Sequence, residues 1–175
     1  MFELVFLLLF FLGVIFWIPY KLRTTRQGAP FVPLEPEVVE EVMKLAKVDK
    51  DDIFYDLGSG DGRLVIAAAL HGAKEVYGIE IDPLRVFYSR FWLKLLRLEN
   101  AKIIKGNFFE IDLSKATVVS LYLLQETNDK LKSKFEKELK KGTRVVSVAF
   151  FIPGWKPAKI SPVGPPSGPT YLYIV

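Results

Sequence analysis

The sequence predicts an α/β fold: a doubly wound, mostly parallel sheet with a C-terminal antiparallel hairpin, plus one N-terminal transmembrane helix. Three observations predict it. Short apolar runs alternate with helix-periodic stretches between residues 37 and 151. That rhythm stops after Phe151, where a Pro/Gly-rich tail carries only strand-like runs. Residues 4–18, LVFLLLFFLGVIFWI, contain no charge at all. Strands alternating with helices imply a parallel sheet covered on both faces.

The N-terminal run comes first. A spanning helix needs roughly 20 apolar residues, with a lower limit near 17. With Phe2, Trp17 and Tyr20 counted, the segment reaches that length. Trp17 and Tyr20 stand where interfacial aromatics belong, and Lys21, Arg23 and Arg26 follow, so the positive-inside rule puts the remainder in the cytoplasm. A cleaved signal peptide needs its positive charge before the apolar run and a small-residue cleavage site after it, and WIPYKLR provides neither. A helix apolar on all faces at the terminus of a small domain also fits a buried core helix poorly. The expected organisation is therefore an anchor over 1–20, a linker over 21–35 with prolines at 30 and 33, and a folded domain over 36–175. The location expected from it is a single-pass membrane protein with its catalytic domain on the cytoplasmic side.

Within the domain, Val38, Val39, Val42, Met43, Leu45 and Ala46 share one helix face. IFYDL (53–57) is a short apolar run rich in aromatics, hence a buried strand. GSGDG follows, then a helix from Arg63 to Leu70 that His71-Gly72 ends. EVYGIE (75–80) is the second strand. Asp82-Pro83 supplies an N-cap and a first-turn proline for a helix to about Leu98. Residues 101–105, 117–123 and 143–151 are the third to fifth strands, with a charged amphipathic helix over 128–139 before the last. Lys159-Ile160 and Thr170 to Val175 form the hairpin.

Composition narrows the chemistry. There are no cysteines and one histidine, His71. Disulfides, thiolate metal sites, cysteine nucleophiles and histidine-based triads are excluded. The net charge of +4 is too modest to argue nucleic acid by itself.

One motif carries the ligand reading: Asp56-Leu57-Gly58-Ser59-Gly60-Asp61-Gly62-Arg63. Gly58, Gly60 and Gly62 permit a tight strand-to-helix turn and close backbone approach. The helix that follows presents free N–H groups to an anion. A dinucleotide loop reads G-x-G-x-x-G; this one reads G-x-G-x-G with an acid two residues before it. Asp56 attracts an ammonium, which a pyrophosphate site has little use for. A ligand with a carboxylate and a cation, such as S-adenosylmethionine (SAM), suits both ends. Glu80 closes the second strand, where an acid accepts ribose hydroxyls. Asn107 and Phe108 follow the third strand, placed for an adenine edge and ring. Each has a plainer reading: a ligand-free turn, a solvated strand-end charge, an ordinary turn residue.

DLGSGDGR, VYGIEIDP and GNFFEIDL resemble class I SAM-dependent methyltransferases. More narrowly, FVPLEPEVVEEVMKLA, YDLGSGDGRLVIAAA, YSRFWLK and VVSVAFFIPGW are similar to the membrane-tethered protein-lysine methyltransferases of the ATP synthase c subunit and adenine nucleotide translocase family. The sequence departs from that pattern at Leu34, after FVP, where a small or hydroxyl residue is frequent. The resemblance implies a Rossmann-like fold, SAM as cofactor with S-adenosylhomocysteine (SAH) as product, no metal, and lysine N-methylation of a protein, a membrane protein included. Small-molecule or lipid methylation, or SAM binding without catalysis, are the alternatives.

The acceptor site is expected beyond the fourth and fifth strands, with Tyr122, Gln125 and Trp155 as candidate catalytic residues. The fourth strand lacks the Asn/Asp-Pro-Pro-aromatic motif of nucleic-acid amino methyltransferases and reads LYLLQET instead, which argues against a nucleic-acid partner. Positioning of a neutral lysine amine supplies the rate, and an aromatic, desolvated channel lowers the amine pKa. The aromatic, basic second helix, LRVFYSRFWLKLLRL, is expected to pack on the sheet, with a bilayer contact as the alternative.

Overall fold

The computed structural model describes residues 31–175, and these form one unit, Phe31–Val175. Its elements in chain order are α1 (Pro36–Ala46), β1 (Ile53–Leu57), α2 (Arg63–Leu70), β2 (Glu75–Glu80), α3 (Pro83–Leu95) and β3 (Ala101–Lys105). After these come β4 (Val118–Leu121), α4 (Gln125–Glu138), β5 (Arg144–Val148), β6 (Lys159–Ser161) and β7 (Thr170–Ile174). The strands make a seven-stranded sheet in the order β3-β2-β1-β4-β5-β7-β6. The first five are parallel, and β7 runs antiparallel to both β5 and β6.

Strand alternation divides the core. Phe54, Val76, Ile103, Val118 and Val146 face one side and pack with Val38, Val42, Met43, Val65, Ala68 and Leu93 of α1, α2 and α3. The opposite side carries Leu57, Val119, Leu121, Val145 and Tyr173, with Leu131 and Phe135 of α4 buried as well. Strands buried on both faces read as continuous apolar runs, which is why VVSL at β4 and IFYDL at β1 lack alternation.

Local chemistry sets the ends. Asp82 caps α3 by accepting from the N–H groups of Leu84 and Arg85, and Pro83 opens the first turn. Arg97, at φ +55, closes the turn that follows α3, so this helix stops before Leu98. β5 ends at Val148 rather than at 151, because Ala149 takes φ +69 and its N–H donates to Pro169 O at 2.9 Å. A Cβ on Gly168 would stand 2.5 Å from Ala149 O, so only glycine lets the hairpin loop close this tightly.

The sheet and its hairpin follow the sequence; the transmembrane helix requires correction. No helix among the described residues is long and apolar enough to cross a membrane. The longest, α4, has 14 residues and reads QETNDKLKSKFEKE. At 1.5 Å per residue it would cover about 21 Å, short of the roughly 30 Å hydrocarbon layer. The anchor over 1–20 and most of the linker lie outside the described residues. The fold class is thus the α/β sheet with its antiparallel hairpin. The membrane anchoring, the membrane partner through residues 4–20 and the single-pass, cytoplasmic-side location are set aside with the helix. The linker's last residues, 31–35, belong to the same unit as the sheet, and Leu34 is buried.

Candidate active site

β1 is flanked by β2 on one side and β4 on the other, the point where the winding reverses. Ligands of open α/β sheets bind outside the carboxyl ends of strands at such a point. The glycine turn stands there. Gly58, Gly60 and Gly62 all have positive φ, +79°, +55° and +85°. Space constrains them as well. A Cβ on Gly62 would lie 2.9 Å from Ser89 Cβ, and one on Gly60 would lie 2.7 Å from the Phe31 ring.

Two buried carboxylates converge on this turn. Asp56 ends up 3% exposed and accepts from Ser120 Oγ at 2.7 Å. Burial pushes its carboxyl up to about 7; the Ser120 hydroxyl opposes the rise, and the charges of Glu80 and Asp61 add to it. Glu80 is 5% exposed. Its Oε2 accepts from Gly60 N–H and its Oε1 from Asp82 N–H, both at 2.8 Å, with Arg85 Nη1 3.9 Å away. Negative charge gathered in a desolvated turn favours a cationic ligand. SAM, with an ammonium and a sulfonium, fits that charge pattern, and its carboxylate suits the N-terminal end of α2.

The remaining predicted residues take distinct positions. Ser59 Oγ is buried without a partner among the described residues, 2.8 Å from where a Gly78 Cβ would be. Asn107 is half-buried after β3; its Oδ1 accepts from Phe109 N–H and its Nδ2 donates to Glu110. Phe108 is buried with its ring 4.9 Å from that of Phe109. On the β4 side, Tyr122 Oη lies 3.4 Å from Ser167 Oγ of the hairpin loop, and Gln125 Nε2 donates to Phe151 O at 3.1 Å. Trp155 stands apart from these two. It packs on Phe135 and Tyr173 and donates Nε1–H to Glu136, about three helical turns down α4 from Gln125. Among the described residues no acidic or histidine cluster is arranged to hold a metal.

Residues 56–159 match the family model described as the ANTKMT methyltransferase domain. The chain belongs to this family. It is a SAM-dependent methyltransferase. The protein-lysine N-methyltransferase of Saccharolobus islandicus (strain REY15A) is 45% identical over 155 residues, covering 83% of this chain and 93% of its own. The human ATP synthase c-subunit lysine N-methyltransferase is 33% identical over 137 residues, covering 77% of this chain. The match covers only 58% of the human protein's own length. Among solved structures, an RNA methyltransferase from Salinibacter ruber in complex with SAH superposes with a TM-score of 0.77 at 42% identity, covering 82% of this chain and 94% of that one.

The structure also brings to this region residues to which sequence reasoning assigned no ligand role. Ser120 is the polar member of VVSL, and the β1–β4 register sets it opposite Asp56. Phe31 lies on Gly60, with the Arg85 guanidinium 4.8 Å from its ring centroid. Arg63 bonds Asp61 and the carbonyl of Leu34, tying the FVPL segment to the glycine turn. Asn128 is wholly buried and donates to Ser147 Oγ, Phe150 O and Phe151 O. It thereby pins the turn after β5. A polar residue on the inward face of an otherwise charged helix was the signal for it.

Proposed function

We propose that this methyltransferase transfers a methyl group from SAM to lysine side chains of a protein. The observation that carries this reading is the 45% identity to a protein-lysine N-methyltransferase along 93% of that relative's length. In this reading Asp56 receives the ammonium of the cofactor and Glu80 the ribose hydroxyls. Gly58, Ser59, Gly60 and Gly62 form the turn under the methionyl group, and Asn107 and Phe108 border the adenine. SAM, when bound, supplies a methyl carbon on a sulfonium; the lysine nitrogen forms the new C–N bond as the C–S bond breaks, and the thioether leaves neutral.

The chain's own task is then positional. The lysine must arrive without its proton, and free lysine titrates near 10.4. Tyr122 and Gln125 border the entry beyond β4, where Gln125 is already bound to Phe151 O and is a neutral neighbour for an amine. No strong base is required if the channel is dry, because desolvation disfavours the ammonium. The proton leaves to solvent before attack.

The second reading is RNA methylation, favoured by the similarity to the Salinibacter ruber RNA methyltransferase. Tyr122-Leu123-Leu124-Gln125 after β4 offers no Asn/Asp-Pro-Pro-aromatic platform for a flipped base. Incubation with methyl-labelled SAM and fractionated cell extract separates the two. Label released as methyl-lysine after protein hydrolysis is expected. Label confined to RNA overturns the lysine reading, and label in small molecules or lipid replaces it with the remaining alternative.

A further inference from the structure

Among the described residues β3 is an edge strand, with a neighbour on the β2 side only. A trough of about 790 Å³ runs between its open side and α3. Arg90, Lys94, Arg97, Lys102 and Lys105 line it, against a single acid, Glu99. All five cations are exposed, and none pairs with a carboxylate among the described residues. Arg90 alone is spoken for, since its guanidinium donates twice to Ile103 O, at 2.7 and 3.0 Å. The floor is apolar, formed by Leu93, Ile103 and Ile104.

We propose that this trough docks an extended acidic segment of the protein substrate, an inference that rests on the lysine reading above. Charge selects the class of partner: five cations around one carboxylate, four of them without a hydrogen-bond partner among the described residues, repel one another until an anionic chain enters. Shape selects a polypeptide. The open strand edge, apart from Ala101 N–H and Ile103 O, which Leu98 and Arg90 already hold, gives an extended backbone donors and acceptors to meet, while the apolar floor takes side chains. Single-stranded nucleic acid needs aromatic platforms for its bases, and the trough is lined by no aromatic residue. The groove ends at Lys105, next to Gly106 and Asn107, so a bound segment leads toward the cofactor end of the sheet.

The test uses the full chain and a fluorescent, lysine-free peptide of alternating glutamate and valine, read by anisotropy. Lys94→Glu combined with Lys102→Glu is expected to weaken peptide binding by about tenfold or more. The same reversal at Lys130 and Lys137, on α4, is expected to leave it within about twofold. SAH binding by calorimetry checks that both variants are folded. Should the glutamate variant misfold, Lys94→Ala with Lys102→Ala carries the same comparison. Equal weakening by the groove and α4 pairs, or by neither, overturns the proposal. So does tighter binding of a single-stranded oligonucleotide of equal charge. A lysine peptide extended by the same acidic segment supplies the kinetic arm, where the groove variant is expected to raise KM and leave kcat unchanged. Since the first probe contains no lysine, its loss leaves the transfer reaction standing, and a failure of lysine transfer leaves the binding data readable.

Discussion

Cofactor affinity should climb steeply with pH up to neutrality, because Asp56 must lose a proton before it can serve a cation. Its carboxyl is held up to about 7 by burial, with Glu80 and Asp61 adding to the rise. At pH 5 such a group is ionised only about 1% of the time. If SAM binds the ionised form, the apparent Kd at pH 5 is about a hundredfold weaker than above pH 8, since affinity scales with the competent fraction. That ratio is worth about 2.7 kcal/mol. Titration calorimetry from pH 5 to 8 measures it. Near pH 6, buffers of different ionisation enthalpy should report about one proton released per SAM bound. Asp56→Asn should bind weakly but with a nearly flat profile. A flat profile in the parent, or proton release that survives in Asp56→Asn, refutes the reasoning. Stability has the opposite sign. The unfolded carboxyl gives up its proton near 3.8 and the folded one near 7. Between those values the unfolded state binds fewer protons, so the ligand-free protein loses stability as pH rises through that window. The loss is on the order of 4 kcal/mol, and Asp56→Asn should reduce it in thermal melts at pH 4.5 against pH 8.

Three other outcomes follow from single contacts. Ser120→Ala removes the hydroxyl that opposes the rise at Asp56, so the midpoint of the affinity profile should move to higher pH; a midpoint that stays or falls argues against that role. Gly62→Ala meets both a +85° φ and a Ser89 Cβ at 2.9 Å, and should cost at least about 1 kcal/mol in chemical denaturation. The paired change with Ser89→Gly should recover only the steric part. Phe135→Ala empties a fully buried site under Trp155 and should destabilise by about 3–5 kcal/mol with SAH affinity retained, which melts and calorimetry separate.

What sequence could reveal here depended on whether a residue's role was local. That Asp56, Glu80 and the three glycines meet at one turn was legible because a strand end, a turn and a helix start impose residue types within a few positions. Ser120 was not, since its role comes from the register that sets it opposite Asp56 across 64 residues of chain. Ala149 was read as strand for the same reason: the carbonyl that bends it away belongs to Pro169. Trp155 follows the fifth strand in sequence, yet the chain turns along α4, so nearness in sequence misstated nearness in space. The transmembrane expectation drew on hydropathy, length, interfacial aromatics and flanking charge, and it fell on residues outside those described.

Helix α3 shows most sharply where periodicity runs out. α3 carries two stripes at helical spacing that could face the core. One is Val86, Ser89 and Leu93, and the other is Leu84, Phe87, Tyr88, Phe91 and Leu95. Hydrophobicity favours burying the aromatic stripe, but the structure buries the lesser one and leaves Phe87 73% exposed. The glycine turn decides between them. Gly62 approaches α3 so closely that only a small side chain fits opposite, and Ser89 is the small residue of this helix. Rotating α3 to bury Phe87 or Phe91 would drive a ring into the turn. The tightness of the glycine turn thus fixes the face that α3 turns outward, and it leaves Arg90, Lys94 and Arg97 along the open edge of β3. A bulky residue at 89 should therefore disturb SAM binding and peptide docking together, whereas charge reversal at Lys94 and Lys102 should affect docking alone.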